Sequence, residues 1–229
     1  MRPIGSIVTP YSEKFGIPRQ PGLAEAARGR IVLHPEFDQP GVYDGLETCS
    51  HLWLTFWFHH HDQSWSPKVR PPRLGGNRKL GVFATRSPRR PNPIGLSVVR
   101  VLSLESQRNH LEVAGVDLLN GTPILDIKPY LPYSDAPPQA HSDFAPSAPV
   151  PLRVEFSAKA SEDLACDENL RVLIEQVLSQ DPRPAYHRSS RVYGTTLAKR
   201  NIKWTVDPEQ VVQVLSVEPA TSCNPGATP

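Results

Sequence analysis

Residues 81–104 read GVFATRSPRRPNPIGLSVVRVLSL. The first part sets Pro88, Pro91 and Pro93 among Arg86, Arg89 and Arg90. Each proline fixes its own φ and turns the residue before it away from helix. Residues 81–96 are therefore expected to form a stiff, extended ribbon that holds cationic side chains in set directions. Residues 96–104 then read as a strand, with a partner at residues 111–116 across a polar connection at residues 106–109. Further short strands are expected at residues 4–8, 30–33, 80–84 and 123–127. Residues 51–59, HLWLTFWFH, are nearly all apolar and predict a strand buried on both faces. Residues 24–28 suit one helical turn stopped by Gly29. Residues 67–77 read as loop, punctuated by Pro71-Pro72 and Gly75-Gly76, and Asn120-Gly121 as a tight turn.

The pattern changes at residues 135–151, which hold five prolines and almost no apolar periodicity. This is the best domain boundary. Beyond it, residues 152–156 suit a strand. Asp167 can cap a helix whose Leu170, Leu173, Ile174, Val177 and Leu178 follow i, i+3, i+4, i+7, i+8 spacing, with Asp181-Pro182 ending it. Ile202, Trp204 and Val206 alternate with polar residues as in a strand with one wet face, residues 211–217 form another strand, and residues 221–229 a loose tail. The expected fold is mainly β. A strand-rich domain spans residues 1–150, and a small α+β C-terminal domain spans residues 151–229.

The charge is segregated. The chain of 229 residues carries 25 Lys+Arg against 23 Asp+Glu. Yet from Gln63 to Leu104 there is no acid, and nine bases: Lys68, Arg70, Arg73, Arg78, Lys79, Arg86, Arg89, Arg90 and Arg100. Such a local field attracts anions, nucleotides or a phosphate backbone at small net charge. Cys49, Cys166 and Cys223 lie far apart and form neither a disulfide framework nor a zinc spacing, which fits a reducing cytoplasm. No apolar run reaches the ~20 residues of a membrane span. The N-terminus also lacks the apolar core of a signal peptide.

Several familiar nucleotide and hydrolase loops are missing: no G-x-G arrangement, no P-loop, no G-x-S-x-G elbow. His59-His60-His61-Asp62 suggests metal, but on a strand only His59 and His61 share a face. Zinc sites recruit ligands from separated turns, so no metal is expected, and the imidazoles are read as lining a ligand site. Asp126 and Lys128, two apart, share a strand face beside Pro129 and Tyr130, with Asp117 a second acid on the preceding strand. They are either a structural salt bridge or an orienting acid or base with a cationic clamp. Arg19-Gln20-Pro21-Gly22 offers a loop with one cation and one amide. Near the C-terminus, Arg183, Arg188 and Arg191 lie close to Tyr186 and Tyr193, and Lys199, Arg200 and Lys203 lie beside Trp204. That interleaving suits phosphate contact with base stacking, or a solvated face.

The segments PYSEKFGIPRQPG (10–22), GLETCSHLWLTFWFH (45–59), VRPPRLGGNRKLGVFATRSPRRPNPIGLS (69–97), DLLNGTPILDIKPYLPY (117–133) and QDPRPAY (180–186), in this order, closely resemble the TrmO (YaeB, TsaA-like) family. The resemblance implies S-adenosylmethionine-dependent tRNA methylation at N6 of N6-threonylcarbamoyladenosine, the base just 3′ of the anticodon. It further implies a single-sheet β-barrel that binds the cofactor, a small C-terminal domain, a homodimer, and the tRNA anticodon stem-loop as partner. Carried onto this sequence, it puts S-adenosylmethionine near Arg19, Gln20, Pro21, Gly22, His59, His60, Arg86, Leu96, Asp126, Ile127, Lys128 and Pro129. Asp126 is the candidate catalytic base. Substrate and tRNA contacts fall to Arg86, Arg90, Asn92, Lys128, Tyr130, Arg183, Arg188, Arg191, Lys199, Arg200 and Lys203. Arg89 stands where many relatives have a neutral residue. Two other readings use the same residues: a non-catalytic RNA-binding module without cofactor, and a metal hydrolase centred on His59 and His61.

Overall fold

The structure, a computed structural model, describes residues 1–61, 64–74, 78–105, 110–184 and 191–220. Asp62, Gly75, Gly76, the connection at residues 106–109, Tyr186, Arg188, Cys223 and the tail at residues 221–229 lie outside them.

The first part of the chain is built on β1 (Gly5–Val8), β2 (Arg28–Leu33), β3 (His51–Trp57), β4 (Lys68–Val69), β5 (Leu80–Gly81), β6 (Ile94–Glu105), β7 (His110–Ala114) and β8 (Thr122–Pro129). Six of these hydrogen-bond in the order β1-β2-β7-β6-β3-β8, all antiparallel, and β8 pairs back onto β1, so the sheet closes on itself. Strand side chains alternate faces. Ile7, Ile31, Leu52, Leu54, Val99 and Ile124 all point into the ring and are buried. Gly95 also faces inward, where the Phe56 ring lies across its backbone, and any Cβ there would overlap that ring.

β3 differs from the expectation for residues 51–59. Only Leu52, Leu54 and Phe56 are buried, while His51, Trp53, Thr55 and Trp57 are half-buried. A closed sheet has an inside and an outside, and this outside is only partly covered. The apolar outward residues made the stretch read as doubly buried. The strand ends at Trp57, so His59, His60 and His61 follow in a turn and not on a strand. Residues 24–28 form a turn and the start of β2, with Gly29 inside the strand. The loop at residues 67–77 contains β4, paired with β5, and a single 3-10 turn (Pro72–Leu74). A further 3-10 turn, Val82–Ala84, follows β5. The proline-braced ribbon is bent and not extended: Arg90 N–H donates to Pro88 O at 2.8 Å and Ile94 N–H to Asn92 O at 2.7 Å.

After α1 (Pro132–Asp135), residues 136–153 carry no helix or strand. The second part contains β9 (Val154–Phe156), α2 (Ala158–Asp163), α3 (Glu168–Ser179), β10 (Tyr193–Leu197), β11 (Arg200–Val206) and β12 (Val212–Pro219). Its sheet runs β10-β11-β12-β9, with β9 parallel to β12. Asp167 caps α3, its carboxylate accepting from Leu170 N–H at 3.0 Å, and the helix buries the five apolar residues that the spacing singled out.

One buried cluster joins both sheets, from Ile7 and Leu54 through Tyr11 to Leu197, Trp204 and Ile174. The segment between β1 and β2 is the joint. Tyr11 bridges Leu197, Pro10 O accepts from Ala198 N–H at 2.9 Å, and Glu13 accepts from Thr196 N–H at 2.7 Å. Phe15 stacks on Trp204 with ring centroids 6.3 Å apart. Among the described residues no helix is long and apolar enough to cross a membrane.

Candidate active site

Thr55, the lone hydroxyl in HLWLTFWFH, is the registration point of the site. Across the sheet it pairs with Leu96 on β6 and with Asp126 on β8. Two residues along, Trp53 pairs with Val98 and with Lys128. Leu96, Thr55, Asp126, Trp53 and Lys128 therefore share the outer face of β6-β3-β8. Leu96 is 52% exposed although apolar. A register shift between Thr55 and Phe56 leaves Leu125 without an opposite residue, a bulge immediately before Asp126. Bulges of this kind bend a strand and re-aim its side chains.

Asp126 holds Lys128 through Oδ2 at 2.7 Å, and its Oδ1 accepts from Ile127 N–H at 2.9 Å. Both side chains are well exposed, so the ion pair is weak and open to exchange with a ligand. Past Pro129, Tyr130 leans on His51 and Trp53, and Trp53 Nε1 donates to Asp135 at 2.7 Å.

A second group of candidate residues centres on the loop at residues 19–22. Its backbone is pinned where Gly22 N–H donates to Gly115 O at 2.9 Å. Gly22 and Gly115 both have positive φ, +76° and +75°, and a Cβ on Gly115 would press on Gly22, so two left-handed glycines make this close approach. Arg86 Nη1 donates to Gln20 Oε1, joining this loop to the proline-braced segment. Beneath Arg86 lies Asp117, which accepts from the buried Ser97 hydroxyl at 2.6 Å. Burial pushes the Asp117 carboxyl up to about 6, against the opposing pull of Ser97, its own backbone N–H and Arg86. Burial, with the Asp117 charge in support, likewise raises the Tyr11 hydroxyl well above its ordinary value.

His59 and His60 lie with ring centroids 4.3 Å apart. Burial, then His60, and more weakly Lys14 lower the His59 pKa, so it is neutral at physiological pH. Lys14 Nζ donates to His60 O, which ties this turn to the loop that carries Arg19 and Gln20. Among the described residues no group of three His, Cys, Asp or Glu is placed to hold a metal ion.

The other sequence candidates are divided. Asn92 is exposed. The Arg90 guanidinium folds back onto the backbone oxygens of Thr85 (2.7 Å) and Val82 (3.3 Å), where it braces its own segment. Arg183 lies bidentate on Asp181 at 2.7 and 2.9 Å and also reaches Gln210, a loop clamp with little free surface. Lys203 is paired with Glu218. Arg191, Lys199 and Arg200 are at least partly exposed, with Lys199 at the tip of the β10–β11 hairpin. Trp204 and Tyr193 are not stacking surfaces: they are 0% and 8% exposed, stacked on each other, with the Trp204 N–H donating to Thr195.

This constellation can be set beside known proteins. Residues 6–136 match the family model of the tRNA-methyltransferase O N-terminal domain, and residues 149–220 match that of the TrmO C-terminal domain. The chain belongs to the TrmO family. It is 43% identical over 227 residues to the tRNA (adenine(37)-N6)-methyltransferase of Escherichia coli (strain K12), covering 94% of this chain and 96% of that one. RcsF of Pseudomonas aeruginosa, provisionally named an S-adenosylmethionine-dependent methyltransferase, is 49% identical over 224 residues with the same coverage. The crystal structure of TrmO from Pseudomonas aeruginosa superposes with a TM-score of 0.80 at 42% identity, over 94% of this chain and 96% of that one.

Within this TrmO fold, sequence reasoning missed Thr55 and the Ser97–Asp117 pair. Thr55 was visible as the only hydroxyl in an apolar strand. Ser97–Asp117 was not, because their contact depends on how the segment after β7 folds back over β6.

Proposed function

We propose that this chain transfers the methyl group of S-adenosylmethionine to N6 of N6-threonylcarbamoyladenosine beside the anticodon of tRNA. The observation that carries the reading is the outer face of β6-β3-β8, where the Asp126–Lys128 pair lies in line with exposed Leu96. S-adenosylmethionine has an ammonium, a carboxylate, a sulfonium and a flat apolar ring system. Both signs of charge and an apolar side chain are present here on one surface, so the residues fit it. Lys128 would take the cofactor's carboxylate and Leu96 its ring, and the loop at residues 19–22 with His59 and His60 would close the rim.

The bound cofactor supplies a methyl group already activated by positive sulfur. This chain's residues must orient the acceptor, for which proximity alone supplies about 7–11 kcal/mol in favourable cases. The acceptor nitrogen is conjugated on both sides and must lose its proton during attack. Asp126 is the acid on this face, its side chain about half exposed, and we assign it that role. The substrate's threonyl carboxylate calls for a guanidinium. Arg86 serves, since Arg90 is engaged with its own backbone. Lys199, Arg200 and Arg191 provide the phosphate contacts of the C-terminal domain, residues 151–229, while residues 1–150 form the cofactor-binding barrel. The open apolar outer face suits a second copy in a homodimer, and the free cysteines suit the cytoplasm.

The test is nucleoside mass spectrometry of threonylcarbamoylated tRNA after incubation with the protein and labelled S-adenosylmethionine. Methyl label on the modified adenosine is expected. Arg86→Ala and Asp126→Ala should each reduce it at least tenfold. Normal methylation by both variants would show that the site is elsewhere, and absence of S-adenosylmethionine binding by calorimetry would leave a plain RNA-binding module.

A further inference from the structure

The base-stacking aromatics expected beside the C-terminal arginines are core residues. Two others are not. Phe83 is 78% exposed and Trp65 55% exposed. Both belong to the acid-free basic stretch, and one small ribbon carries them. β4 pairs with β5 through Lys68–Gly81 and Val69–Leu80, and Val82 N–H donates to Pro67 O at 3.0 Å just beyond the last pair. Phe83 thus follows the end of one strand while Trp65 precedes the start of the other. Ser66 N–H donates to Arg89 O, fastening the ribbon to the proline-braced segment.

Phe83 is held firmly. It lies in the 3-10 turn Val82–Ala84, anchored by buried Val82. The Arg90 guanidinium, fixed on the Val82 and Thr85 oxygens, stands 5.8 Å from the centre of its ring. A cation therefore backs the ring while most of its surface remains open. Around it, Lys68, Arg70, Arg78, Lys79, Arg86 and Arg89 are exposed, and the segment contains no acid.

We propose that Phe83 and Trp65 are stacking platforms for unpaired bases of an RNA loop, with the neighbouring lysines and arginines following its phosphates. Single exposed aromatics need no explanation, but two on a braced arm inside a purely basic stretch do. Single-stranded RNA is bound by the combination of a cationic track and exposed ring faces. The proposal rests on the tRNA reading above and names the surface that receives the loop.

The experiment measures binding of a fluorescein-labelled anticodon stem-loop RNA at several salt concentrations. Phe83→Ala and Trp65→Ala should each weaken binding by about 5- to 150-fold, as loss of one stacked base does, whereas Phe83→Tyr and Trp65→Phe should stay near wild type. The salt slope should not change for the aromatic variants, but should fall by about one for Lys68→Ala or Arg70→Ala. S-adenosylmethionine affinity and the mass by light scattering should be unchanged throughout. Unchanged RNA affinity in both alanine variants overturns the proposal. So does a drop in mass, which would make the aromatics a contact between protein chains. A wild-type protein that does not methylate tRNA would end the enzymatic reading. An active wild type with unaffected alanine variants would end only this one.

Discussion

Asp117→Asn should stabilise the protein above pH 6 and damage its activity. The carboxyl of Asp117 is raised by burial from 3.8 to about 6. An unfolded chain releases that proton near 4, but the folded one keeps it until about pH 6. Between those limits the native state binds more protons, so its stability falls as pH rises. Keeping the proton to about pH 6 corresponds to a destabilising cost of about 3 kcal/mol, absent below pH 4 and fully present above pH 6. Asp117 retains a fringe of solvent exposure, which makes that figure an upper limit. Asparagine keeps an oxygen for the Ser97 hydroxyl while removing the charge. Urea unfolding of wild type and Asp117→Asn at pH 4.5 and pH 8 should show a gain for the variant that grows with pH. Equal stability differences at both pH values would refute the account of a buried ionised carboxyl.

The activity half of the prediction follows from Arg86, whose positive charge lowers the Asp117 pKa while its Nη1 holds Gln20. Neutralising Asp117 removes the charge beneath that guanidinium. Methylation by the wild type should decline as pH falls through 6, and that decline should be lost in Asp117→Asn, whose rate is lower throughout. Stability gained where activity is lost is the usual signature of a charge kept for function.

Other substitutions probe the scaffold. Gly95→Ala places a methyl against the Phe56 ring and should lower stability by about 1–3 kcal/mol, read as a drop in Tm, with Phe56→Leu restoring part of it. Asp167→Ala removes the acceptor for Leu170 N–H and should lower stability by about 1 kcal/mol in urea, with no change in S-adenosylmethionine affinity. Trp204→Ala empties a site stacked by Tyr193 and Phe15 and should lower stability by about 3–5 kcal/mol, with earlier tryptic cleavage between residues 9 and 27.

The elements legible in the sequence were those that a local pattern decides. α3 was legible down to its cap, because Asp167 and the apolar residues at i, i+3, i+4 spacing sit within one short window. β6 and β7 were legible as a pair for the same reason. β3 was misread because apolar residues on a half-covered outer face look the same as buried ones. The ribbon at residues 86–93 was misread because proline restricts φ without choosing between extended chain and tight bends. In the site, Asp126 and Lys128 on one face followed from strand alternation. The Arg86–Gln20 contact did not, since 66 residues separate the two. The aromatic surface was assigned to Trp204 because basic residues surround it in the sequence, although its indole is entirely enclosed.

The segment between β1 and β2 does more than connect strands. Its first half, Pro10 to Phe15, is held by the C-terminal sheet through Leu197, Ala198, Thr196 and Trp204. Its second half reaches Arg86 through Gln20 and the Asp117 segment through Gly22 and Gly115. Lys14, between the two halves, bonds the backbone of His60. This segment therefore touches both Arg86 and the histidine turn. An RNA bound across the exposed Lys199 hairpin tip would load the β10 strand end, which pairs directly with Tyr11. The C-terminal sheet thus has a short, hydrogen-bonded path through this segment to Gln20 and Arg86.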